Sequence, residues 1–367
     1  MKDQRSALEI PRGDLSLAVC EECGFVFNQA FEPSKVSYAG NYDNTQSYSP
    51  LFDAYLFNLV RNLVLEKGVQ NCRVIEVGCG KGRFLRKLVE MGENIGYGFD
   101  PSYVGLDTEL EGRLRFEKSY YGPEWAHIPA DVIVCRHVIE HLPNPLDLLD
   151  TIRQALGTSP KARVFFETPT VEWILRNQVI WDFFYEHCSY FTAASLTTAF
   201  EASGFWINSV QPVFGEQYLW LEAIPLSPGD TPAVSKRPGF VPQLARDFAA
   251  SESALRKVWQ ERIQQLATRG KIAIWGGGAK GVTFANLIDP DRQWISCVVD
   301  LNPQKQGGFL PGTGHPVVGF QELGPYNVWA AVLMNSNYRE ENSALLRDTH
   351  LKVELIDLME LRNEADH

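Results

Sequence analysis

Two stretches of the chain share one polarity signature. Cys72–Glu90, CRVIEVGCGKGRFLRKLVE, is a short β-type apolar run, a glycine-rich turn, and then apolar positions at helical spacing. Gly270–Ile288, GKIAIWGGGAKGVTFANLI, repeats the scheme. Each is followed by a second apolar run that ends in aspartate, IGYGFD at Asp100 and WISCVVD at Asp300. Strand, turn, helix and second strand make a parallel βαβ unit, so the pattern predicts two α/β domains. Between them lies Ile224–Pro242, whose five prolines exclude helix and central strand and mark a linker. Gln243–Arg269 has no internal proline or glycine and reads as a long amphipathic helix bracing the second domain. The expected organisation is a loop-rich N-terminal region over 1–50, a first α/β core over 51–225, a linker over 226–242, and a helix plus second α/β domain over 243–367.

Composition narrows the partners. A chain of 367 residues is too long for one ordinary core. Its formal net charge of −11, with no lysine–arginine cluster, argues against nucleic acid and anionic membranes and favours a small-molecule substrate. No apolar run approaches the roughly 20 residues a membrane helix needs, and the first residues lack a secretory apolar stretch. Seven scattered cysteines fit reduced thiols. A cytoplasmic protein is expected; its oligomeric state is not legible.

The first glycine turn, Glu76-x-Gly78-x-Gly80-x-Gly82, carries an acid at the strand end. S-adenosylmethionine has no phosphate but carries an ammonium and a sulfonium, which Glu76 would suit. Asp100, at the tip of the next strand and followed by Pro101, can accept from ribose hydroxyls. The acids, the spacing and the strand context resemble class I methyltransferases, against the alternative of a plain Rossmann turn. Downstream, ADVIVCRHVIEHLPNPLDLLDTIRQAL (Ala130–Leu156) is strand, loop and helix. Ligand crevices of open α/β sheets lie at the carboxyl ends of strands, which puts Arg136, His137, Glu140 and His141 at the right edge. From residues alone, Glu140 and His141 either serve the site or only cap and brace the helix.

The second turn, Gly276-x-Gly278-x-x-Gly281 with Asp300 19 residues later, matches a nicotinamide-cofactor fingerprint. Trp181–Phe191, WDFFYEHCSYF, sets Glu186 and His187 in the middle of an aromatic wall. That is either a water-excluded acid–base pair or a satisfied core histidine on an aromatic helix. Cys20-x-x-Cys23 is half of a zinc knuckle. With two of the four ligands that tetrahedral zinc needs, no metal is expected there.

The order of parts resembles the three-domain sugar-nucleotide C-methyltransferases of deoxysugar biosynthesis, on the segments CEECGFVFN, NYDNTQSYSP, EVGCGKGRF, RHVIEHLPNP, FYEHCSYFT and GGGAKGVTF…VVDLNPQKQGGFLPGTGHPV. The resemblance implies a class I methyltransferase Rossmann-like core, a C-terminal Rossmann-like domain and a zinc-binding N-terminus. It implies S-adenosyl-L-methionine as cofactor at Glu76, Gly78, Gly80, Gly82, Asp100, Pro101 and His137. His187 matches the proposed general base, with Glu186 beside it and His141 and Tyr42 completing the catalytic group. The C-terminal domain would grip a nucleotide-linked sugar rather than NAD, with Tyr48, Tyr190, Gln217, Gly278, Lys280, Asn302 and Lys305 as substrate-binding candidates. The implied reaction is C-methylation of a ketosugar through an enolate; O- or N-methylation, or nucleotide binding without turnover, are the alternatives. Three departures stand out: the first C-x-x-C is missing, so the start is expected to be truncated; Asn44 replaces the second aromatic of Y-x-Y; and FGEQYLW (Phe214–Trp220) replaces a His-Gly-Gly-Ser segment.

Overall fold

The structure is a computed structural model and describes residues 1–36, 48–157, 159–227, 229–230 and 233–363. In the N-terminal region β1 (Leu17–Val19) and β2 (Val26–Asn28) form a hairpin. The first core contains β3 (Arg73–Val77), β4 (Ile95–Phe99), β5 (Thr108–Glu109), β6 (Leu114–Glu117), β7 (Val132–Arg136) and β8 (Arg163–Pro169). After β9 (Ser189–Tyr190) come β10 (Phe205–Val213) and β11 (Tyr218–Pro225). The second α/β unit holds β12 (Lys271–Trp275), β13 (Ile295–Val299), β14 (Val317–Val318), β15 (Val328–Leu333) and β16 (Glu354–Asp357).

The large sheet has the order β10-β11-β8-β7-β3-β4-β6-β5. Its centre is parallel, and β11 lies antiparallel between β8 and β10. This is the class I methyltransferase topology. β3 and β7 are buried almost throughout, as strands covered by helices on both faces must be. The second sheet, β14-β13-β12-β15-β16, is parallel throughout. In both sheets the strand order reverses at the first strand, which puts a crevice at the carboxyl ends of β3/β7 and of β12/β15.

The N-terminal region is more ordered than its loop-rich reading. β2 pairs with β9, directly after Glu186 and His187, so the hairpin buttresses that turn. Residues further upstream pack on the second unit: Gly312 N donates to Ala7 O at 2.8 Å and Gln4 Nε2 to Gly314 O at 3.1 Å. The proline-rich tract is shorter than expected, because β11 runs through Pro225 and the long helix starts at Val241. Pro242 sits in the first helical turn, where its missing N–H costs nothing.

That helix, Val241–Arg269, does more than brace the second unit. Its Trp259 packs edge-on against Trp181 of the first core at 5.4 Å, and Trp181 also meets Phe284 of the second unit at 5.4 Å. All three are buried, so one aromatic cluster joins the two units. Among the described residues, no helix is long and apolar enough to cross a membrane.

Trp181→Ala should open a cavity at this junction and cost about 3–5 kcal/mol, the usual range for a buried tryptophan. A urea titration reads the loss, and protease access to the 226–240 tract should rise with it. An unchanged midpoint would remove Trp181 from the junction.

Candidate active site

At the carboxyl edge of β3 and β4 lies a cavity of about 730 Å³ lined by Glu76, Gly78, Gly80, Asp100 and Pro101. Gly80 has φ +53° and open space where a Cβ would stand, so bare backbone faces the cavity. Asp100 Oδ2 accepts from Gly80 N at 2.8 Å, while Oδ1 accepts from Ser102 N at 2.7 Å and Ser102 Oγ at 2.6 Å. A carboxylate offers about four acceptor positions. Three are filled, which leaves Oδ2 capacity for one hydroxyl without breaking the turn.

Glu76 has a second duty that the sequence did not reveal. The helix Arg83–Gly92 begins at Gly82, which has no side chain to cap it, and Glu76 Oε2 accepts from Leu85 N at 3.2 Å instead. Burial pushes the Glu76 carboxyl up to about 8 despite the nearby Arg136. A cation entering the cavity would favour the ionised form. At Gly82 a Cβ would stand 2.4 Å from the Phe116 ring, so the glycine there also allows close packing.

Beneath the crevice runs a buried charge network. Glu167, fully buried on β8, accepts from Arg136 at 2.9 Å, pairs with His137 Nε2 at 2.7 Å, and takes the Tyr55 hydroxyl. His137 Nδ1 lies 3.5 Å from Glu140 Oε1, and Thr168 Oγ1 donates to Glu140 Oε2 at 3.1 Å. Burial would lower the His137 pKa, but the bonds to Glu140 and Glu167 outweigh it and push it to about 9. Both its ring nitrogens therefore face acids, and what His137 presents to the cofactor cavity is a ring rather than a hydrogen-bonding nitrogen.

A second cavity, of about 290 Å³, opens between the two units. From the first core come His137, Glu140, His141, Glu186, His187 and Gln217; from the second come Gly278, Lys280, Asn302 and Lys305. Tyr48 is at its rim. His137 and His141 line both cavities, so the two spaces lie side by side there. Glu186 and His187 sit on a turn rather than the aromatic helix of the bland reading, with His187 N donating to Phe184 O at 3.2 Å. His141 Nδ1 donates to Glu186 O at 2.9 Å, since a carbonyl only accepts. The His141 and His187 rings meet edge to face at 4.8 Å. Burial, and then His141, hold His187 down at about 3, so it is neutral. Burial raises the Glu186 carboxyl.

The Tyr190 hydroxyl accepts from Phe184 N and donates to Phe184 O, both at 3.0 Å, and Tyr190 is absent from the cavity lining. It closes the turn that holds Glu186 and His187. Lys280 Nζ is 2.6 Å from Asp182 and 3.1 Å from Gln217 Oε1; Gln217 and Asn335 form a reciprocal amide pair. Lys305 is paired with Asp300 at 3.2 Å. Asp182, Glu167 and Asn335 were missed from the sequence, although an acid inside the apolar runs WDFF and VFFETP was a visible signal for two of them. Tyr42 and Asn44 lie outside the described residues. Cys20 and Cys23 are free, half-buried thiols at a turn.

The fold and the two adjacent cavities define a class I, S-adenosylmethionine-dependent methyltransferase. Residues 48–210 match the family described as methyltransferase domain, and residues 241–350 match the family described as C-methyltransferase C-terminal domain. The chain thus carries matches to both family models, the methyltransferase domain first and the C-methyltransferase C-terminal domain after it. It is 25% identical over 351 residues to C-methyltransferase NovU of Streptomyces niveus, covering 89% of this chain and 81% of that one. It is 31% identical over 117 residues to a ubiquinone biosynthesis O-methyltransferase of Vibrio cholerae, covering 29% of this chain and 46% of that one. Among solved structures, magnesium protoporphyrin IX methyltransferase from Synechocystis matches with 15% identity and a TM-score of 0.38, over 51% of this chain and 89% of that one.

Two outcomes follow for the cofactor side. Asp100→Ala should weaken S-adenosylmethionine binding by about 1–3 kcal/mol in calorimetry, the scale of a hydrogen bond to a charged acceptor; unchanged affinity in a folded variant would reject the ribose contact. Glu76→Gln should separate stability from binding. A carboxyl near 8 in the fold and near 4.5 unfolded makes wild-type stability fall as pH rises through that window. The Gln variant lacks this loss, so its melting temperature relative to wild type should climb from about pH 5 to pH 8, while its cofactor affinity falls. A difference that stays flat with pH would refute the buried neutral carboxyl.

Proposed function

We propose that the protein moves a methyl group from S-adenosylmethionine to a carbon beside a ketone in a nucleotide-linked sugar, with His187 as general base. The observation that carries this reading is that the two cavities lie side by side, with His137 and His141 lining both. One side offers the bare Gly80 backbone, the spare capacity of Asp100 and the buried Glu76, a donor set that suits a ribose and an ammonium. The other side presents the His141–His187 pair and, on the facing unit, the glycine turn at Gly278. A substrate with a reacting sugar and a nucleotide handle needs both parts of that second cavity.

Bound S-adenosylmethionine supplies an electrophilic methyl on a positively charged sulfur. The chain's own residues supply the rest. A C–H bond beside the ketone breaks, its proton goes to the neutral His187 imidazole, and the electron pair enters the enolate. The enolate carbon then takes the methyl, and the sulfur leaves as a neutral thioether. An imidazolium is costly in so dry a place. The Glu140 carboxylate beside His187 offsets that charge as it forms, and Glu140 favours protonation of His187 in the resting site too. In this reading the Tyr42 hydroxyl, or His141 Nε2 when it carries a proton, donates to the ketone oxygen. The aromatic wall of Trp181, Phe183 and Phe184 keeps water from the enolate.

Recognition of the nucleotide falls on Tyr48, Gln217, Gly278, Lys280, Asn302 and Lys305. Lys280 and Lys305 are already held by Asp182 and Asp300. The backbone N–H groups at the start of the helix Ala279–Ile288 are therefore the principal phosphate donors. The printed names of both the C-terminal family and the Streptomyces relative point to methylation at carbon.

His187→Asn keeps bulk and polarity but removes the base. Turnover on a nucleotide-linked ketosugar should drop by about 10²–10⁴-fold, the scale of general-base catalysis. S-adenosylmethionine affinity should hold, and deuterium wash-in at the acceptor carbon without methyl donor should vanish with turnover. A variant that still exchanges at near wild-type rate would remove His187 from the mechanism. Methyl transfer without any wash-in would move the acceptor atom to oxygen or nitrogen.

A further inference from the structure

Glu140, His141 and His187 converge more tightly than acid–base chemistry requires. One carboxylate oxygen of Glu140 and one ring nitrogen from each histidine lie within 4.8 Å of one another, and this is the one such cluster among the described residues. Glu140 is 1% exposed, and its Oε1 has no hydrogen-bond partner, its nearest cation being His137 at 3.5 Å. His141 already donates Nδ1–H to the Glu186 carbonyl at 2.9 Å. A metal-ligating histidine does the same with its second nitrogen, which fixes the tautomer and aims the other lone pair. The His187 ring packs against that of His141.

We propose that these three side chains form a binding site for a divalent ion of the zinc class, and that an ion held there occupies the His187 nitrogen. Two imidazoles and a carboxylate are a donor set that zinc and cobalt accept with an open fourth position. Metal–ligand bonds of about 2.0–2.2 Å put neighbouring donors of a tetrahedral site about 3.4 Å apart, so the cluster closes with inward shifts on the order of 1 Å. The open position faces the acceptor cavity, which all three residues line. The protonated His137 nearby opposes a dication, but Glu167 at 2.7 Å balances that charge from the far side. An ion held here takes the lone pair that the base needs. The site itself stands independently of the proposed reaction; the inhibitory consequence rests on His187 being the base.

Cobalt(II) titration of the purified chain, freed of metal, tests the site directly. One equivalent should give the visible absorption of a four- or five-coordinate ion, displaced by zinc, with no thiolate charge-transfer band. Glu140→Gln and His187→Asn should each weaken binding by at least about 100-fold, more than loss of an outer contact costs. A Cys20→Ser, Cys23→Ser double variant should bind as wild type does. Loss of the signal in the cysteine variant, or its survival in both site variants, would overturn the site. Glu140→Asp keeps the charge and should retain binding in part, which excludes a mere failure to fold. In the methyl-transfer assay, zinc should inhibit reversibly, with chelator restoring turnover and S-adenosylmethionine affinity unchanged. Activation by zinc would keep the site, overturn the inhibition and remove His187 as the free base. If no acceptor is ever turned over, the titration still decides the site while the proposed reaction fails alone.

Discussion

The constraint on which this molecule turns is a carboxylate with no water. Glu167 sits at the end of a central strand, fully buried, and an isolated charge there would be prohibitive. Its two oxygens are held by Arg136, His137 and Tyr55, three groups from two other elements. Breaking a buried pair from one side typically costs about 3–5 kcal/mol, because the remaining charge is stranded. Arg136 lies over the Phe84 ring at 4.8 Å, which ties the network to the helix beneath the cofactor cavity. His137 carries it onward to Glu140, and Glu140 reaches His141 and His187. The arrangement of both cavities thus descends from one buried ion cluster at the carboxyl edge of β7 and β8.

The same cluster explains why neighbouring histidines behave so differently. His137 has an acid at each ring nitrogen and stays charged. His187, a few ångströms away, has aromatic rings of Phe184 and Tyr190 beside it and another imidazole facing it, and stays neutral. Burial acts on both in the same direction; the partner decides the outcome. A neutral imidazole in a dry pocket is a ready acceptor, whether for a proton or for a metal ion. What restrains it is the cost of the positive charge that either would bring, and Glu140 is the nearest group able to meet that cost.

Local chemistry was legible in the sequence and spatial pairing was not. The glycine turns, the acids at strand ends and the polar pair in WDFFYEHCSYF are local signals, and they placed both α/β units, Asp100 and His187 at cavity edges. The pairing of Glu167 with Arg136 and His137 spans about thirty positions, and nothing in either segment names its partner. The bonds by which the Tyr190 hydroxyl closes a turn on Phe184 leave no pattern in the sequence. Gly82 is silent in another way: a glycine that admits a ligand and a glycine that admits Phe116 look alike in a string of letters. Glu76 was chosen for its charge, and the structure adds a reason in backbone terms, since it caps a helix whose own first residue cannot.

The facing of the two units follows from the same economy. Each sheet opens its crevice at carboxyl ends, and a lone crevice would leave His187 in water. Trp181 prevents this by inserting between Trp259 and Phe284, and Lys280 of the second unit reaches back to Asp182, the residue next to Trp181. The apolar contact and the ion pair thus act at one point of the chain, five residues before His187. Any movement that parts the units must break both and must also unwall the base. The turn that holds Glu186 and His187 is accordingly fixed on three sides: by Tyr190 from within, by the N-terminal hairpin through β9, and by the second unit through Trp181. In the proposed reaction, a base that must stay dry and unprotonated until its substrate arrives needs that many supports, because burial is what holds His187 neutral.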